Sequence, residues 1–373
     1  MPGIYALAPG GWNDQQITKN CGLLPWLFHK KYGWEAVMVG VRTAETYPSL
    51  RYVPGLQMDF LADDRVATAD AYLDAHAADI DVLCLHGFMP GYFPVVEHYR
   101  AVRPEGKIYL ELDPNIYYES RLDWSTPEAR AFLASCDVIG ASCHRMQCYL
   151  GQTWPVIIDY LPNGFYDYTG AFRPMTDADF AAKEDVILTV GRLGTPQKQT
   201  ETLVRGFVAA AERGGLDGWR LELVGSVTEP FRAWLEEVFM RHPAMRQRIE
   251  IAGPVFDKAE LYQRYRRAKV FALTSLYEGG TPNVVAEALV HGCAMVTSDI
   301  DAWEDIIDSG RCGMHFPVGD VEAFAEVLAE ICGDSGQLAS FGRHAAAYAA
   351  QAYDFTKIAD QLYVLLCGRR PGV

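Results

Sequence analysis

Residues 274–292 read TSLYEGGTPNVVAEALVHG, and the apolar run KVFALTS at 269–275 leads into them. The length and β-branched content of that run are typical of a buried strand, which is expected to stop at Glu278 and the two glycines after it. Two glycines allow the backbone to turn sharply and to approach a ligand closely. Thr281 is expected to cap, and Pro282 to open, a helix that ends at the last glycine of the stretch. The stretch therefore predicts a strand, a glycine turn and a helix.

The start of this predicted helix has the properties of an anion site. Unpaired N–H groups and the positive end of the helix dipole face outward there, next to the glycine turn. Glu287 lies four residues after Asn283, so both project from one face of the helix near its start. Two carboxylates, those of Glu278 and Glu287, beside an anion site must hold something other than phosphate. The hydroxyl groups of a sugar and a ribose are suitable donors to carboxylates, and a sugar nucleotide combines both with a diphosphate.

This segment resembles the acidic signature of the retaining glycosyltransferases of family 4, in which a glutamate, a glycine-rich turn and a second glutamate head a helix. The resemblance implies that Glu278 holds the donor sugar and that Glu287 holds the ribose of the nucleotide. It also places Gly279, Gly280 and Thr281 in the donor site. Eight residues separate the two glutamates here, where seven are typical of the family, and an added glycine is the simplest explanation.

A second motif is VGRLGTPQKQTETLVRGF at 190–207. Arg192 leaves the end of a predicted strand, and Lys198 lies just before or within the first turn of the next helix. In the family that the chain resembles, an arginine and a lysine at this spacing hold the donor diphosphate, and Gly191 belongs to the same site. Glycosyl transfer leaves negative charge on the departing phosphate, so fixed cations there stabilise the transition state more than the ground state. Such an arrangement could replace a divalent metal.

The segment AGPV at 252–255 resembles the part of the family whose backbone contacts the nucleotide base, and it adds Pro254 and Val255 to the predicted donor site. Acid-x-acid triplets, such as the one that starts at Asp299, occur in metal-dependent transferases of a different fold. The family does not use this position for metal. We therefore expect neither a metal nor a cofactor, with the nucleotide sugar as the donor substrate.

The candidate residues of the first half stand where predicted strands end, and ligands of parallel sheets bind at those ends. The run at 3–9 reads as a strand, and the family resemblance places Gly10 and Gly11 after it near the donor phosphates and the acceptor. His86 ends the run DVLCLHG and either contacts a substrate or is satisfied by the backbone. Asp113 ends the run KIYLELD and either orients an acceptor hydroxyl or caps the next turn. Both residues are predicted to be catalytic, together with Arg192, Lys198 and Glu278.

Near-continuous apolar runs alternate with helix-compatible segments along the whole chain, which predicts α/β domains with parallel sheets covered on both faces. The family resemblance implies the GT-B fold, two doubly wound Rossmann-like domains that face each other across a cleft, with C-terminal helices. The predicted divisions are an acceptor-side domain at 1–167, a linker at 168–184, a nucleotide-sugar donor domain at 185–353, and a C-terminal helix at 354–373 that packs back towards the first domain.

Composition excludes several classes of protein. The chain has 373 residues and a net charge of −15, which argues against nucleic-acid binding and against broad adhesion to anionic lipid. Its nine cysteines form no CxxC pair, as expected of reduced thiols in the cytoplasm. No leader sequence or membrane-spanning run is recognisable, so a cytoplasmic protein with at most peripheral membrane contact is expected.

Together with the resemblance, these features predict a retaining glycosyltransferase that moves a sugar from a nucleotide diphosphate sugar, UDP-sugar by default, to a hydroxyl of a glycan or glycolipid. The resemblance implies front-face attack, in which the leaving phosphate helps to take the acceptor proton, so a protein base is not required. Two alternatives stay open at this point. One is a sugar-nucleotide epimerase on the same fold, and the other is a non-catalytic, sugar-nucleotide-binding subunit of another transferase.

Overall fold

The chain forms two α/β units, each with its own parallel sheet. The structure is a computed structural model and describes residues 1–113, 115–119 and 121–368. The first unit comprises Met1–Asn163 and the helix that begins at Phe355, and the second comprises Gly164–Asp354. Within the described residues, no helix is both long enough and apolar enough to cross a bilayer.

The first unit contains a seven-stranded sheet. Its strands are β1 (Gly3–Leu7), β2 (Glu35–Val41), β3 (Gln57–Leu61), β4 (Val82–His86), β5 (Lys107–Leu112), β6 (Val138–Ala141) and β7 (Asp159–Tyr160). The spatial order is β3-β2-β1-β4-β5-β6-β7, and every pairing is parallel. The strand order reverses direction at β1, so the carboxyl ends of β1 and β4 flank the point where such sheets bind ligands.

The central strands of this sheet are buried, because helices cover both faces of the sheet. These helices are α1 (Asp14–Ile17), α2 (Asn20–Tyr32), α3 (Val66–His76), α4 (Tyr92–Val102), α5 (Ile116–Glu119), α6 (Pro127–Ser135) and α7 (His144–Thr153), with a 3-10 helix at Pro48–Tyr52.

The second unit contains a six-stranded sheet in the order β10-β9-β8-β11-β12-β13, again with parallel pairings. Its strands are β8 (Glu184–Val190), β9 (Arg220–Val224), β10 (Ile249–Gly253), β11 (Ala268–Leu273), β12 (Ala294–Ser298) and β13 (Gly313–Phe316). Strands β8 and β11 are neighbours at the centre of the sheet. The two motifs predicted to bind the donor follow these two strands, so the topology brings them to one edge of the sheet.

The helices of the second unit are α8 (Asp177–Ala181), α9 (Thr200–Glu212), α10 (Glu229–Arg241), α11 (Lys258–Arg267), α12 (Asn283–Val290), α13 (Trp303–Ile306), α14 (Val321–Gly333) and α15 (Ser335–Ala352), with a 3-10 helix at Pro243–Gln247. Helices α9 and α14 pack closely: a Cβ added to Gly206 would lie 2.3 Å from Cδ1 of Phe324. Phe207, Phe316 and Phe324 are buried in the same core cluster.

The segment 168–184, which was predicted to be a linker, lies inside the second unit. Asp179 of α8 lies 2.7 Å from both Arg173 and Arg266, so the segment is tied to the end of α11. The buried ammonium of Lys183 donates a hydrogen bond of 2.6 Å to the carbonyl of Ala268. The division between the units therefore comes earlier than predicted, after Asn163, because these side-chain pairs attach the polar segment to the second unit.

The last helix, α16 (Phe355–Cys367), belongs to the first unit. It packs on α2, where the rings of Tyr32 and Tyr363 lie 4.2 Å apart. Lys31 of α2 pairs with Asp360 at 2.5 Å, and the Tyr32 hydroxyl also donates to this carboxylate. The chain thus crosses from the second unit back to the first between Asp354 and Phe355, one residue later than predicted.

Candidate functional site

The loop after β8 is held tightly to the loop after β9. Gly225 has φ 138°, and a Cβ added there would lie 1.7 Å from the carbonyl oxygen of Gly191. The Gly191 N–H donates to the carbonyl of Val224 at 2.9 Å. A Cβ added to Gly191 would instead meet the side chain of Lys198, at 3.7 Å. Only glycine fits at position 225, because any side chain there would overlap the backbone of Gly191. At position 191, the absence of a side chain leaves room for the stem of Lys198.

Lys198 and Glu278 form a buried ion pair at the ends of β8 and β11. The ammonium of Lys198 donates to Oε1 of Glu278, and the Ser275 hydroxyl donates to the same oxygen. The side chain of Glu278 is 8% exposed and that of Lys198 is 17% exposed. Gln197 Nε2 lies 3.3 Å from the second carboxylate oxygen. The predicted cation and the predicted sugar-binding carboxylate are thus in direct contact.

Arg192 joins this group through Gln197. Its Nη2 donates to Oε1 of Gln197 at 2.6 Å, while Nε2 of the same amide donates to the carbonyl of Tyr277 at 3.0 Å. The Leu276 N–H donates to the backbone carbonyl of Gln197 at 2.7 Å. Arg192 is exposed, so most of its guanidinium can reach a ligand. The donor cluster, as we name it, therefore consists of Arg192, Gln197, Lys198, Ser275 and Glu278.

The backbone of Lys198 is fixed by the neighbouring strand. Gln199 adopts φ 47°, a left-handed conformation that turns the chain into α9. The hydroxyl of Thr274, just after β11, donates to the carbonyls of Lys198 and Gln199 at 3.0 and 3.2 Å. The lysine therefore stands on a loop that is anchored at its base, as a charge-stabilising group requires.

The glycine turn after Glu278 differs from its prediction by one residue at the helix start. Helix α12 begins at Asn283 with Pro282 in the N-cap position, so Thr281 precedes the cap, where it is fully buried. Proline cannot cap through its side chain, and none caps this helix. Gly280 adopts φ 70°, a left-handed conformation that glycine adopts without strain. With this turn, Glu278 contacts Lys198.

Glu287, on α12, is bound by two residues that the sequence analysis did not identify. Its Oε1 accepts from Nζ of Lys258 at 3.1 Å, and its Oε2 accepts from the hydroxyl of Tyr265 at 3.0 Å. Burial and the carboxylate together raise the pKa of Tyr265 well above its usual range, so the hydroxyl remains a donor. Glu287 itself is 8% exposed. A buried carboxylate is thus neutralised by one lysine and oriented by one phenol.

His291, one turn further along, is a structural residue. Its Nδ1 lies 2.7 Å from the carbonyl of Glu287, and the ring packs at 5.2 Å from that of Tyr262. Burial lowers the pKa of His291 to about 4, so the imidazole is neutral at physiological pH. It braces the helix that carries Glu287 and adds no charge to the site.

Pro254 and Val255 follow the end of β10, and Gly253 before them has φ 73°. This segment leads directly into α11, whose first residue is Lys258. Phe256 is 76% exposed. The segment predicted to contact the base is therefore continuous with the lysine that holds the predicted ribose-binding carboxylate.

In the first unit, Gly10 and Gly11 have different roles. Gly11 has φ 83°, and a Cβ added there would lie 2.2 Å from the carbonyl oxygen of Val41. The backbone therefore requires glycine at this position to pack against the end of β2. A Cβ at Gly10 would meet nothing within 4 Å. Of the two, only Gly10 leaves open space beside the loop.

His86, at the end of β4, is paired with a buried glutamate. Its Nδ1 lies 3.0 Å from Oε2 of Glu111, and the ring of Trp12 meets it edge-on at 5.2 Å. Burial acts to lower the pKa of His86, but Cys21 and Glu111 raise it well above its usual value. The Nε2 atom is buried, without a hydrogen-bond partner among the described residues. One alternative for His86 was a hydrogen bond to the backbone. In the structure its Nδ1 instead contacts the carboxylate of Glu111.

Asp113, after β5, is bound by side chains of its own unit. Its Oδ1 accepts from the Ser142 hydroxyl at 3.0 Å and from Nδ2 of Asn163 at 3.1 Å. Although part of the residue is exposed, desolvation of the carboxyl group and the nearby Glu111 raise its pKa to about 6. The next helical turn is capped by Asn115, which accepts from the Tyr118 N–H at 2.9 Å. Asn115 therefore caps this turn, whereas Oδ1 of Asp113 accepts from Ser142 and Asn163.

Comparison with known proteins shows which family the second unit resembles. The family of glycosyl transferases group 1 matches residues 184–334, the part of the chain that carries the donor cluster. This segment is similar to the group 1 glycosyl transferases. A phosphatidyl-myo-inositol mannosyltransferase of Mycobacterium leprae is 26% identical over 202 residues, which cover 54% of this chain and 51% of the relative. The chain therefore spans about half the length of the curated relative that it matches.

Solved structures confirm the predicted GT-B fold of this chain. HepE (Alr3699) of Anabaena, crystallised in complex with UDP, has a TM-score of 0.75 at 14% identity, covering 99% of this chain and 100% of HepE. A sucrose-phosphate synthase from Thermosynechococcus elongatus has a TM-score of 0.72 at 17% identity and covers 98% of both chains. At these identities the likeness establishes the fold.

Proposed function

We propose that this chain is a group 1 glycosyl transferase that moves a sugar, with retention of configuration, from a nucleotide diphosphate sugar to a hydroxyl of a glycan or glycolipid. We further propose that neither a divalent metal nor a cofactor takes part. The observation that carries the proposal is the donor cluster: two cations and a carboxylate, linked through Gln197, at the ends of two central parallel strands.

The cations of the cluster suit the leaving group. A single positive charge about 4 Å from a phosphate contributes roughly 4 kcal/mol at an effective dielectric constant of 20, before desolvation is subtracted. The charge of Lys198 is already balanced by Glu278, so the exposed Arg192 supplies the net positive charge of the cluster. The N-terminus of α12 adds about 0.3–1 kcal/mol for an anion at its first turn. Charge that develops on a departing diphosphate would thus be stabilised by groups already in place.

The carboxylates suit the hydroxyl groups of the donor. Glu278 uses Oε1 for Lys198 and Ser275, and a carboxylate has about four lone-pair sites, so it can still accept from a sugar hydroxyl. To Glu287, which Lys258 and Tyr265 hold, we assign the role of accepting from the ribose beside the segment that contains Pro254 and Val255. The complex of HepE with UDP supports UDP as the default nucleotide.

The first unit supplies candidates for the acceptor side. With a pKa of about 6, Asp113 is mostly ionised at neutral pH and can accept a hydrogen bond from an acceptor hydroxyl. His86 is cationic beside Glu111, so it serves as a donor and not as a base. In the proposed step the acceptor oxygen forms a bond to the anomeric carbon, the bond to the diphosphate oxygen breaks, and the acceptor proton passes to the leaving diphosphate. The mannosyltransferase relative, whose name includes a phosphatidyl-inositol, supports a glycolipid among the acceptors to be tested.

The proposal is tested by ligand binding and then by transfer. We expect the melting temperature to rise with one class among UDP-, GDP- and ADP-sugars, since a ligand at 100 times its Kd adds about 2.7 kcal/mol of stability. The stabilising donor is then incubated with oligosaccharides or with phosphatidylinositol vesicles, and the product is followed by mass spectrometry and NMR. Epimerised sugar in a mixture of enzyme and donor alone would favour the epimerase, and binding without any product would favour a non-catalytic subunit.

Arg192→Ala tests the role of the cluster in that assay. The variant should lower kcat/KM by on the order of 10² to 10³, as does the loss of a preorganised charge-stabilising group. Arg205→Ala is the matched control, because Arg205 lies on the exposed face of α9, where it pairs with Glu201 at 3.1 Å and lies 5.4 Å from the ring of Trp234, away from the donor cluster. Near-wild-type turnover of folded Arg192→Ala would rule out the proposed leaving-group role.

A further inference from the structure

A second cluster in the second unit combines three kinds of metal-binding side chain. One ligand atom each of Asp308, Cys312 and His344 lies within 4.8 Å of the other two. Asp308 and Cys312 stand in the loop before β13, and His344 stands on α15. None of the three belongs to the donor cluster. We propose that these residues form a binding site for a divalent transition metal of the zinc class, which fixes the loop at 307–312 to helix α15.

The donor atoms have the spacing that a metal needs. Bonds of about 2.0 to 2.3 Å to a tetrahedral ion place its ligand atoms roughly 3.4 Å apart, so only small side-chain movements would close this cluster around an ion. Nε2 of His344 already lies 2.7 Å from Oδ2 of Asp308. Thiolate and imidazole together favour zinc, cobalt or copper over magnesium and calcium, which prefer oxygen ligands. Three protein ligands leave one position for water.

The loop before β13 directs the carboxylate of Asp308 towards the proposed metal position. Asp308 adopts φ 48°, a left-handed conformation that is uncommon for residues other than glycine. Arg311 donates to Oδ1 of Asp308 at 2.6 Å, which leaves Oδ2 to face the histidine. Ligating carboxylates are commonly held in this way by a second group. The Cys312 N–H donates to the carbonyl of Ile307 at 2.9 Å, so the loop closes on itself.

The thiol distinguishes a metal site from an ordinary ion pair. Arg311, Asp308 and His344 would form a satisfied charge network without any cysteine. Cys312 is nevertheless fully buried beside them as a free thiol. Metal binding would replace the thiol proton, so one proton leaves as the ion enters. The hydroxyls of Tyr348 and Tyr353 already tie the end of α15 to the carbonyl of Asp305, at 3.0 Å each, so the metal would extend an existing attachment.

The test begins with the metal content of the full-length protein as purified, followed by chelation and titration with Co²⁺. We expect one Co²⁺ per chain, with the near-ultraviolet charge-transfer band of a thiolate ligand. Cys312→Ser should abolish this band and weaken affinity by on the order of 100-fold, as loss of a ligand does. His344→Gln is a second variant at a partly exposed position, so it keeps the test valid if the buried substitution impairs folding.

Cys148→Ser, at an exposed thiol of the first unit, is the matched control and should retain the band. Zn²⁺ should raise the melting temperature of the wild type and of this control, but not of His344→Gln, whereas Mg²⁺ should raise none of them. A band that persists in Cys312→Ser, or the absence of stoichiometric Co²⁺ binding by the wild type, would overturn the proposal. Either outcome leaves the proposed glycosyl transfer unaffected, because that reaction is assigned to other residues.

Discussion

Replacing Lys198 with methionine should separate the structural from the chemical role of the donor cluster. The substitution keeps the length of the stem and removes the charge, while Ser275 and Gln197 remain as neutral donors to the carboxylate of Glu278. Breaking a buried ion pair by removing one partner costs about 3–5 kcal/mol. Because the lysine side chain is 17% exposed and two neutral donors remain, we expect a smaller loss of stability, about 2–3 kcal/mol.

The second substitution, Glu278→Gln, decides whether this reasoning is right. Without its charge the side chain no longer needs the lysine, so the double variant should regain most of the stability lost by Lys198→Met. A loss of about 2–3 kcal/mol in the free energy of unfolding corresponds to roughly 4–12 °C in melting temperature for a unit of this size. Scanning calorimetry of the wild type, both single variants and the double variant gives the coupling energy directly.

Activity should follow a different pattern from stability. All three variants should lose glycosyl transfer, since each lacks a group that the proposal places at the diphosphate or the sugar. Lys269→Met, at a partly buried position where the lysine pairs with Asp185 at 2.5 Å, is the control and should leave stability and turnover nearly unchanged. If Lys198→Met is as stable as the wild type, or if Glu278→Gln brings no recovery, the buried pair does not have the electrostatic role assigned to it.

Three further outcomes are expected. Lys258→Met should weaken nucleotide binding about tenfold in calorimetric titration while kcat changes little, because Glu287 loses the cation that orients it; unchanged affinity would contradict this role. Stability should fall as pH rises from about 4 to about 6, because a raised pKa of Asp113 means that the folded state holds this proton more tightly than the unfolded chain does. In urea titrations, Asp113→Asn should flatten this decrease of unfolding free energy with pH, and an unaltered slope would refute the assigned pKa. If the ionised carboxylate orients the acceptor, the wild type should lose kcat below about pH 6 and the variant should not show this pH dependence. Gly225→Ala should destabilise the protein by about 3 kcal/mol or more, since its Cβ would overlap the carbonyl of Gly191, and a melting temperature like that of the wild type would show that the loops can separate.

The sequence predicted that the candidate residues of two local motifs lie together, and the structure shows this. Arg192 and Glu278 follow apolar runs that read as strands, and the topology of a parallel sheet brings the ends of neighbouring strands together. Their direct linkage through Gln197 was not predicted, although this residue lies inside the quoted motif. An amide has no sequence pattern that distinguishes a bridging role from a surface position, so only the structure could reveal it.

Residues that depend on packing between distant segments were missed for a different reason. Lys258 and Tyr265 lie on a helix whose sequence is rich in charges, and nothing in their spacing indicates that they face Glu287. Glu111 was missed because a glutamate in an apolar strand reads as a solvent-facing position, whereas here it is 5% exposed and pairs with His86. A signal was nevertheless present: a charged residue inside a strand of a sheet covered on both faces needs a buried partner.

The ion pair in the donor cluster need not compete with the donor for Lys198. A lysine ammonium has three N–H donors, and the contact with Glu278 uses only one of them in this geometry. The remaining two can reach a diphosphate, while the carboxylate prevents the long side chain from exploring other rotamers. An arginine at 198 would keep the charge, but its planar fork would favour bidentate contact with Glu278 and would direct fewer N–H groups at a phosphate. Under the proposed function, the pair therefore orients the ammonium before the donor arrives, which is the condition under which a fixed charge lowers the barrier instead of only tightening binding.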